Sequence, residues 1–547
     1  MDIDDKRNSK VVIDETFIST DQPLTLPSSE DEKALAALGY KQEFKREFGL
    51  WTTFGVSFSV MGLLPSYASV MLYGLTYAGT GGMAWGWIVA MIPIQCIACS
   101  LAELCSSMPT SGGLYYASAV LAPDGFGPLA AWLTGWSNWI AQISGAPSVD
   151  YALSSMILAG VSITHPTYTP TNPHTFILTA VIMLIQATIS SLPTKTIATL
   201  NGYGTLLNFA ALFITIFVIP LATTRAGQVN PSTGEIMNRV ASSSEVWGSI
   251  HNGTDYPDGV SILMSFIGVI WIMSGYDASF HLSEECSNAN IAAPRAIVMT
   301  SSIGGIIGWI IQIIVAYTII DIDRVLDSSL AQPWAAYLLQ VLPQRAALAI
   351  LSLTIGCSFF MGQACMIAGS RVAYAYARDD CFGPFSKIVK VVNSKTKTPV
   401  NAVWFNTFIG IIILLLVFGG PLAINAIFSI GGIAAMVAFA IPISMRVFIR
   451  NSNFQRGPWH LGKFGKPIGA LGAGFVALMV PIMCLPAKTG SRLNAENMNW
   501  TCMVYGGWMT FISLWWIFNA KKWFKGPKIQ ETEIISYEIE KGFNRNL

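Results

Sequence analysis

Charge is what this 547-residue sequence has least of: Asp, Glu, Lys and Arg make up 12% of it. An average soluble domain carries about twice that share. So few charges cannot solvate the surface of a soluble protein this long, and the alternative solvent is lipid. Nor does one sign dominate. With 32 basic and 31 acidic residues the net charge is +1, which leaves no face for a polyanion, so nucleic acid is not expected as a partner. The first 48 residues hold no apolar run of signal-peptide type, so the first apolar helix is expected to act as its own insertion signal. H-E-x-x-H, zinc-spaced Cys/His sets and a G-x-S-x-G elbow are also missing. Neither an enzyme nor a metal or cofactor is therefore expected. Most of the nine cysteines sit in apolar runs, where buried thiols are chemically idle. Cys96 and Cys99 have C-x-x-C spacing but lie within such a run, a poor place for redox or zinc chemistry. Cys484 and Cys502 flank one loop and could pair.

What the chain does have is long apolar segments. No charged residue occurs between Glu47 and Glu103, room for two spans of roughly 20 residues each. Continued along the chain, the pattern predicts an all-α polytopic membrane protein with twelve transmembrane helices. They fall near 50–75, 82–106, 126–158, 174–193, 198–222, 259–284, 296–320, 346–375, 400–418, 421–446, 467–487 and 502–520. Loops on one side then carry only Arg225, Arg239, Arg324, Arg345, Lys488 and Arg492 of the 32 basic residues, and the other 26 fall opposite. Basic loops stay in the cytosol, so both termini are expected there. The segments 1–48 and 521–547 are expected to be disordered cytosolic tails. The sequons at Asn252 and Asn499 fall on the outer side and are candidate glycosylation sites.

Two helices carry a break. The first contains Gly62-Leu63-Leu64-Pro65-Ser66-Tyr67, and the sixth, five spans on, contains Ser274-Gly275-Tyr276-Asp277. Proline removes a backbone donor and glycine frees the backbone. Transporters built on inverted repeats place their site at such paired breaks, where half-helix ends offer free N–H groups and carbonyls. These residues are the candidate substrate site. Trp271 lies six residues before Asp277 and can close over a bound cation. Asp277 and Asp150 are intramembrane carboxylates, costly unless they face a wet cavity, a partner or a proton. Both are candidates for proton coupling. Asn138, Gln142 and Gln363 are candidate cavity-lining residues. Glu103, Glu284 and Glu285 fall at cytosolic helix ends and suit structural or gating roles.

Three motifs make a resemblance. They are Ala102 to Tyr115 after the second span, Ser265 to Pro294 with Ser283-Glu284-Glu285, and Gly369 to Asp379 after the eighth span. Together they resemble the amino acid–polyamine–organocation permeases. Met61 to Ser66, His281 to Glu285, and Gly457 to Gly462 are similar to the fungal amino acid/choline branch, GABA-permease-like members in particular. The resemblance covers roughly residues 35 to 525. It implies a LeuT-type core over 49–446, made of inverted five-helix repeats at about 49–222 and 259–446, with two peripheral helices over 447–520. It also implies alternating access, an aromatic gate at Trp271 and an acidic coupling residue at Asp277. Many relatives grip an α-amino carboxylate with a Gly-Ser-Gly-like trio; here bulkier Gly62-Leu63-Leu64-Pro65 stands in its place.

The function expected is proton-coupled import of a small amino acid or amine such as GABA. Choline, a polyamine, thiamine or a vitamin precursor are alternative substrates. A non-transporting sensor is the alternative from another class, though neither tail shows a signalling module. The plasma membrane is the expected location, with vacuolar or endoplasmic reticulum membranes as alternatives.

Overall fold

The computed structural model describes residues 29–229, 234, 236–330, 332–449, 454–495 and 497–528. In chain order its α-helices are α1 (Glu30–Ala37), α2 (Leu50–Met61), α3 (Leu63–Tyr77), α4 (Gly79–Ser107), α5 (Leu114–Leu121), α6 (Gly127–Thr164), α7 (Asn172–Ser190), α8 (Thr194–Ala222), α9 (Ser243–Gly248) and α10 (Asp258–Ile272). There follow α11 (Ala278–His281), α12 (Ala289–Thr318), α13 (Ile322–Leu326), α14 (Pro333–Val341), α15 (Gln344–Arg378), α16 (Ser386–Val389), α17 (Val400–Leu414), α18 (Pro421–Phe448), α19 (Gly465–Ile482) and α20 (Thr501–Phe518). Counting α2 and α3 as one, eleven stretches of the described residues are long and apolar enough to cross a membrane. The other expected crossing is the interrupted one. α10 is apolar but only 15 residues long, and after a non-helical stretch the chain continues through α11 and the 3-10 turn Ser283–Glu285. The protein is thus an integral, multi-pass, all-helical membrane protein.

Both breaks are made by glycine. Gly62 has φ +47° and ψ 63°, ends α2 with an N–H donated to the Phe58 carbonyl, and begins α3. Pro65 falls in the first turn of α3, where a missing N–H costs nothing. Gly275 has φ +104°, open to glycine alone at little cost. A Cβ there would lie 2.6 Å from Val60 Cγ1 and 2.9 Å from the Met61 nitrogen. The two interruptions therefore rest on each other, backbone against backbone.

The face where α2 begins and α20 ends, called here the basic face, is sealed by ion pairs. Arg371 donates to both Glu285 oxygens at 2.7 and 3.2 Å, with both side chains fully buried. Arg378 grips Glu284 in the same bidentate way, at 3.0 Å twice. The Thr110 hydroxyl and the Ser111 N–H also donate to Glu284 Oε1, each at 2.9 Å. Glu103 lies 3.8 Å from Arg446.

The amino-terminal segment departs from expectation. Residues 1–28 and 529–547 lie outside the described residues, but 29–48 are ordered where a disordered tail is expected. Ser29 caps α1 by accepting from the Glu32 N–H. Asp31 accepts from the N–H groups of Asn288 and Ala289 at the start of α12. Tyr40, Phe44 and Phe48 are buried, Tyr40 donates to Asp379 at 2.8 Å, and Gln42 donates to the Glu284 carbonyl. Anchors at every fourth residue hold the segment across the ion pairs, and burial of such rings outweighs the surrounding charge. Cys484 and Cys502, which could pair, are both free thiols.

Two measurements test this account. Gly275→Ala is expected to lower stability by about 1–3 kcal/mol or more, while Gly474→Ala, with nothing within 4 Å of its new Cβ, leaves it unchanged; thermal unfolding in detergent reads both. Glu285→Ala strands the buried Arg371 charge at a cost of about 3–5 kcal/mol. The paired Glu285→Met/Arg371→Met change, which removes both charges, is expected to recover most of that loss in the same assay.

Candidate functional site

The break after α10 leaves Asp277 just ahead of α11, buried to 4% side-chain exposure. Its Oδ2 accepts from Gln142 Nε2 at 3.1 Å. The His281 Nε2 atom, one turn on, lies 3.5 Å from the same oxygen. Asn138, one turn before Gln142 on α6, places Nδ2 3.4 Å from His281 Nε2 and donates to the Tyr376 hydroxyl at 3.2 Å. On the far side of the ring, His281 Nδ1 is 3.2 Å from the Ser111 carbonyl. The Ser111 N–H donates in turn to Glu284 Oε1 at 2.9 Å. A continuous polar run therefore leads from the break to the ion pairs of the basic face.

No Lys or Arg occurs in α2, α3, α10 or α11, the segments that border the breaks. Among the described residues, the Asp277 carboxylate is met by one neutral amide, Gln142, and the His281 imidazole. A carboxylate in that setting lacks the cation that would offset its burial.

The remaining residues of the breaks play more local parts. Leu63 and Leu64 are buried and open α3, whose first turn no side chain caps. Those N–H groups are the orphan donors of a helix start. Ser66 Oγ donates to the Met61 carbonyl, left free at the end of α2. Tyr67 lies edge-on to Trp334 of α14, 5.9 Å between centroids. Ser274 Oγ returns to the Ile270 carbonyl, and the buried Tyr276 ring packs beside Phe439. Trp271 lies against α18, where a Cβ on Gly431 would sit 3.2 Å from its ring. Beyond it, towards the face opposite the ion pairs, a cavity of about 240 Å³ is lined by Tyr73, Tyr77, Ile267, Ser429, Met483 and Asn499. Ile267 is one turn from Trp271 and Ser429 is two residues from Gly431. The cavity thus borders the stretches of α10 and α18 that meet at the Trp271 ring.

The structure brings Asn138 and Gln142 to Asp277 but sets Asp150 and Gln363 apart. Asp150 lies eight residues beyond Gln142 on α6, about 12 Å along the axis. Its Oδ1 accepts from Gln186 Nε2 of α7 at 2.8 Å, and it packs against Gly362 of α15. Gln363 donates to Ser190 Oγ. Both sequon asparagines are engaged in their own loops. Asn252 Nδ2 donates to the Tyr256 carbonyl and Asp258, and Asn499 Nδ2 donates to the carbonyls of Met483 and Leu485.

Sequence reasoning missed the role of His281, quoted only as part of a motif, and of Ser111, Tyr376, Arg371 and Arg378. The i, i+4 spacing of Asp277 and His281 was the available signal, since it puts both on one face of a helical turn.

The comparisons with known proteins give the family. The model of the amino acid permease family matches residues 48–508. An uncharacterized amino-acid permease of Schizosaccharomyces pombe is 54% identical over 502 residues, covering 92% of this chain and 90% of its own. A Candida albicans protein named "Putative polyamine transporter" is 43% identical over 509 residues, covering 92% and 90%. The amino-acid permease BAT1 of Arabidopsis thaliana is 30% identical over 525 residues, covering 93% and 98%. This chain belongs to the amino acid permease family, within the amino acid–polyamine–organocation superfamily, and is a transporter rather than an enzyme.

Proposed function

We propose that this permease imports a small amine-bearing solute, an amino acid such as GABA or a polyamine, together with a proton by alternating access. One observation carries the reading. Asp277 sits buried at the break with Gln142 and His281 as neighbours and no Lys or Arg on the bordering segments. A substrate ammonium supplies the cation this carboxylate lacks, and a proton does so when the substrate is away. The same absence of a fixed cation favours a polyamine over a carboxylate-bearing substrate, and the name of the Candida albicans relative points the same way. An amino acid carboxylate would rely on the uncapped N–H groups at the start of α3. The excess of Lys and Arg on the basic face supports a cytosolic orientation for it, and the reading takes the plasma membrane as the membrane crossed. The ion pairs then close the inner side while the cavity opens outward.

Uptake of radiolabelled GABA, putrescine, choline, thiamine and a set of α-amino acids into transporter-deficient cells, at two external pH values, tests the reading. Saturable uptake that rises at acid pH is expected for one of them. Asp277→Asn is expected to abolish accumulation with surface expression intact; undiminished accumulation overturns the assignment. Asp150→Asn is expected to retain most of the uptake. An asparagine there keeps the acceptor for Gln186 Nε2 and adds a donor beside the unpartnered Gln186 Oε1 and Asp150 Oδ2 positions. Loss of proton-driven uptake in that variant would move the coupling to Asp150.

A further inference from the structure

The reading above asks one carboxylate to meet both a substrate ammonium and a proton. If both used Asp277, each would displace the other, and the two would exchange rather than travel together. Co-transport needs a second proton acceptor beside Asp277, and the geometry points to one. We propose that His281 Nε2 holds the transported proton while Asp277 holds the ammonium. This inference rests on the proton-coupled reading and names the group that performs it.

His281 is fully buried, and its two nitrogens are distinguished by their partners. Nδ1 faces the Ser111 carbonyl at 3.2 Å. A carbonyl only accepts, so Nδ1 carries a hydrogen. In the neutral ring Nε2 is then the bare, basic nitrogen. It lies 3.5 Å from Asp277 Oδ2 and 3.4 Å from Asn138 Nδ2. Nε2 is therefore the free proton-accepting atom of the ring and the one aimed at Asp277. Asn138 suits either state. Its amide donates to the neutral ring, and a flip presents Oδ1, which has no partner in the structure, to a charged one.

The proton step balances. A proton arriving from the outer cavity binds Asp277 Oδ2. As the ammonium approaches, that O–H bond breaks and an N–H bond forms at His281 Nε2, leaving Asp277 anionic for the substrate. Once the basic face opens, the Nε2 proton passes to water. One proton and one substrate move in the same direction.

The surrounding charges fit a proton that comes and goes. On its own stretch His281 meets Asp277, Glu284 and Glu285. The two glutamates are already matched by Arg378 and Arg371 of α15. α15 also presents Tyr376, through Asn138. From α6 come only the neutral Asn138 and Gln142. α2 contains no Asp, Glu, Lys, Arg or His, and the single charge of α12 near this end, Arg295, is exposed. Before the start of α5 it meets the Ser111 carbonyl and Gly113. Among these described residues, Asp277 is the carboxylate beside the ring with no Lys or Arg partner.

The test uses the full chain in proteoliposomes, with radiolabelled putrescine and GABA as probes. In His281→Gln, counterflow exchange of the transported probe is expected to persist, while acid-driven accumulation falls by about tenfold or more. Asp277→Asn is expected to lose both. Acid-driven accumulation that survives in His281→Gln overturns this inference and leaves the proton-coupled reading standing. A wild type that gains nothing from acid overturns the proton-coupled reading instead. Proton binding by the purified protein alone, titrated from neutral to acid pH, then decides: His281→Gln should take up one proton fewer, and equal uptake overturns the assignment. Where His281→Gln does not fold, Asn138→Asp substitutes. A carboxylate beside Nε2 should move the pH midpoint of accumulation to the alkaline side by about one unit, and an unmoved midpoint overturns the proposal.

Discussion

Lipid offers no hydrogen bonds, so a helix can be interrupted within a bilayer only where the protein itself completes what the break leaves open. The rest of the structure depends on this constraint. The chain is interrupted at Gly62 and at Gly275, and each interruption is covered by the other. Gly275 touches the backbone of Met61, and Ser66 supplies a donor to the Met61 carbonyl. Asp277 has no Lys or Arg partner among the described residues, and the proposed site centres on it. α6 contributes the amides of Asn138 and Gln142, and α18 brings Gly431 up against the Trp271 ring.

Much of this was legible in the sequence because it is written as presence or absence of charge. Of the twelve apolar runs, eleven are stretches long and apolar enough to cross among the described residues, and the twelfth is the interrupted one that holds α10. The Gly and Pro that interrupt two of them, and the aspartate at one, stand out against an apolar background. The crossing over 259–284 was legible as a break, and only α10 and the four-residue α11 remain as α-helix there.

What stayed hidden depends on packing phase and long-range pairing. Asp150 and Asp277 look alike in sequence, yet Asp277 stands at the break beside Gln142 while Asp150, about 12 Å further along α6, meets Gln186, because which neighbours α6 meets along its length is set by tertiary packing. His281 pairs with a carbonyl 170 residues away, which no local pattern announces. Arg371 and Arg378, seven residues apart on one face of α15, await two adjacent glutamates, and neither motif names the other. In the amino-terminal segment, charged residues around Tyr40, Phe44 and Phe48 hid anchors whose spacing was in plain view.

Ser111 joins the two halves of the machine in a single residue. Its carbonyl holds the His281 ring, and its N–H holds the Glu284 carboxylate that Arg378 clamps. Coupling between two such sites is reciprocal. By whatever factor occupancy at the ring loosens the clamp, opening the clamp loosens the occupant by that same factor. Under the proposed mechanism, discharge then requires no separate trigger, since the act of opening is itself the drop in affinity.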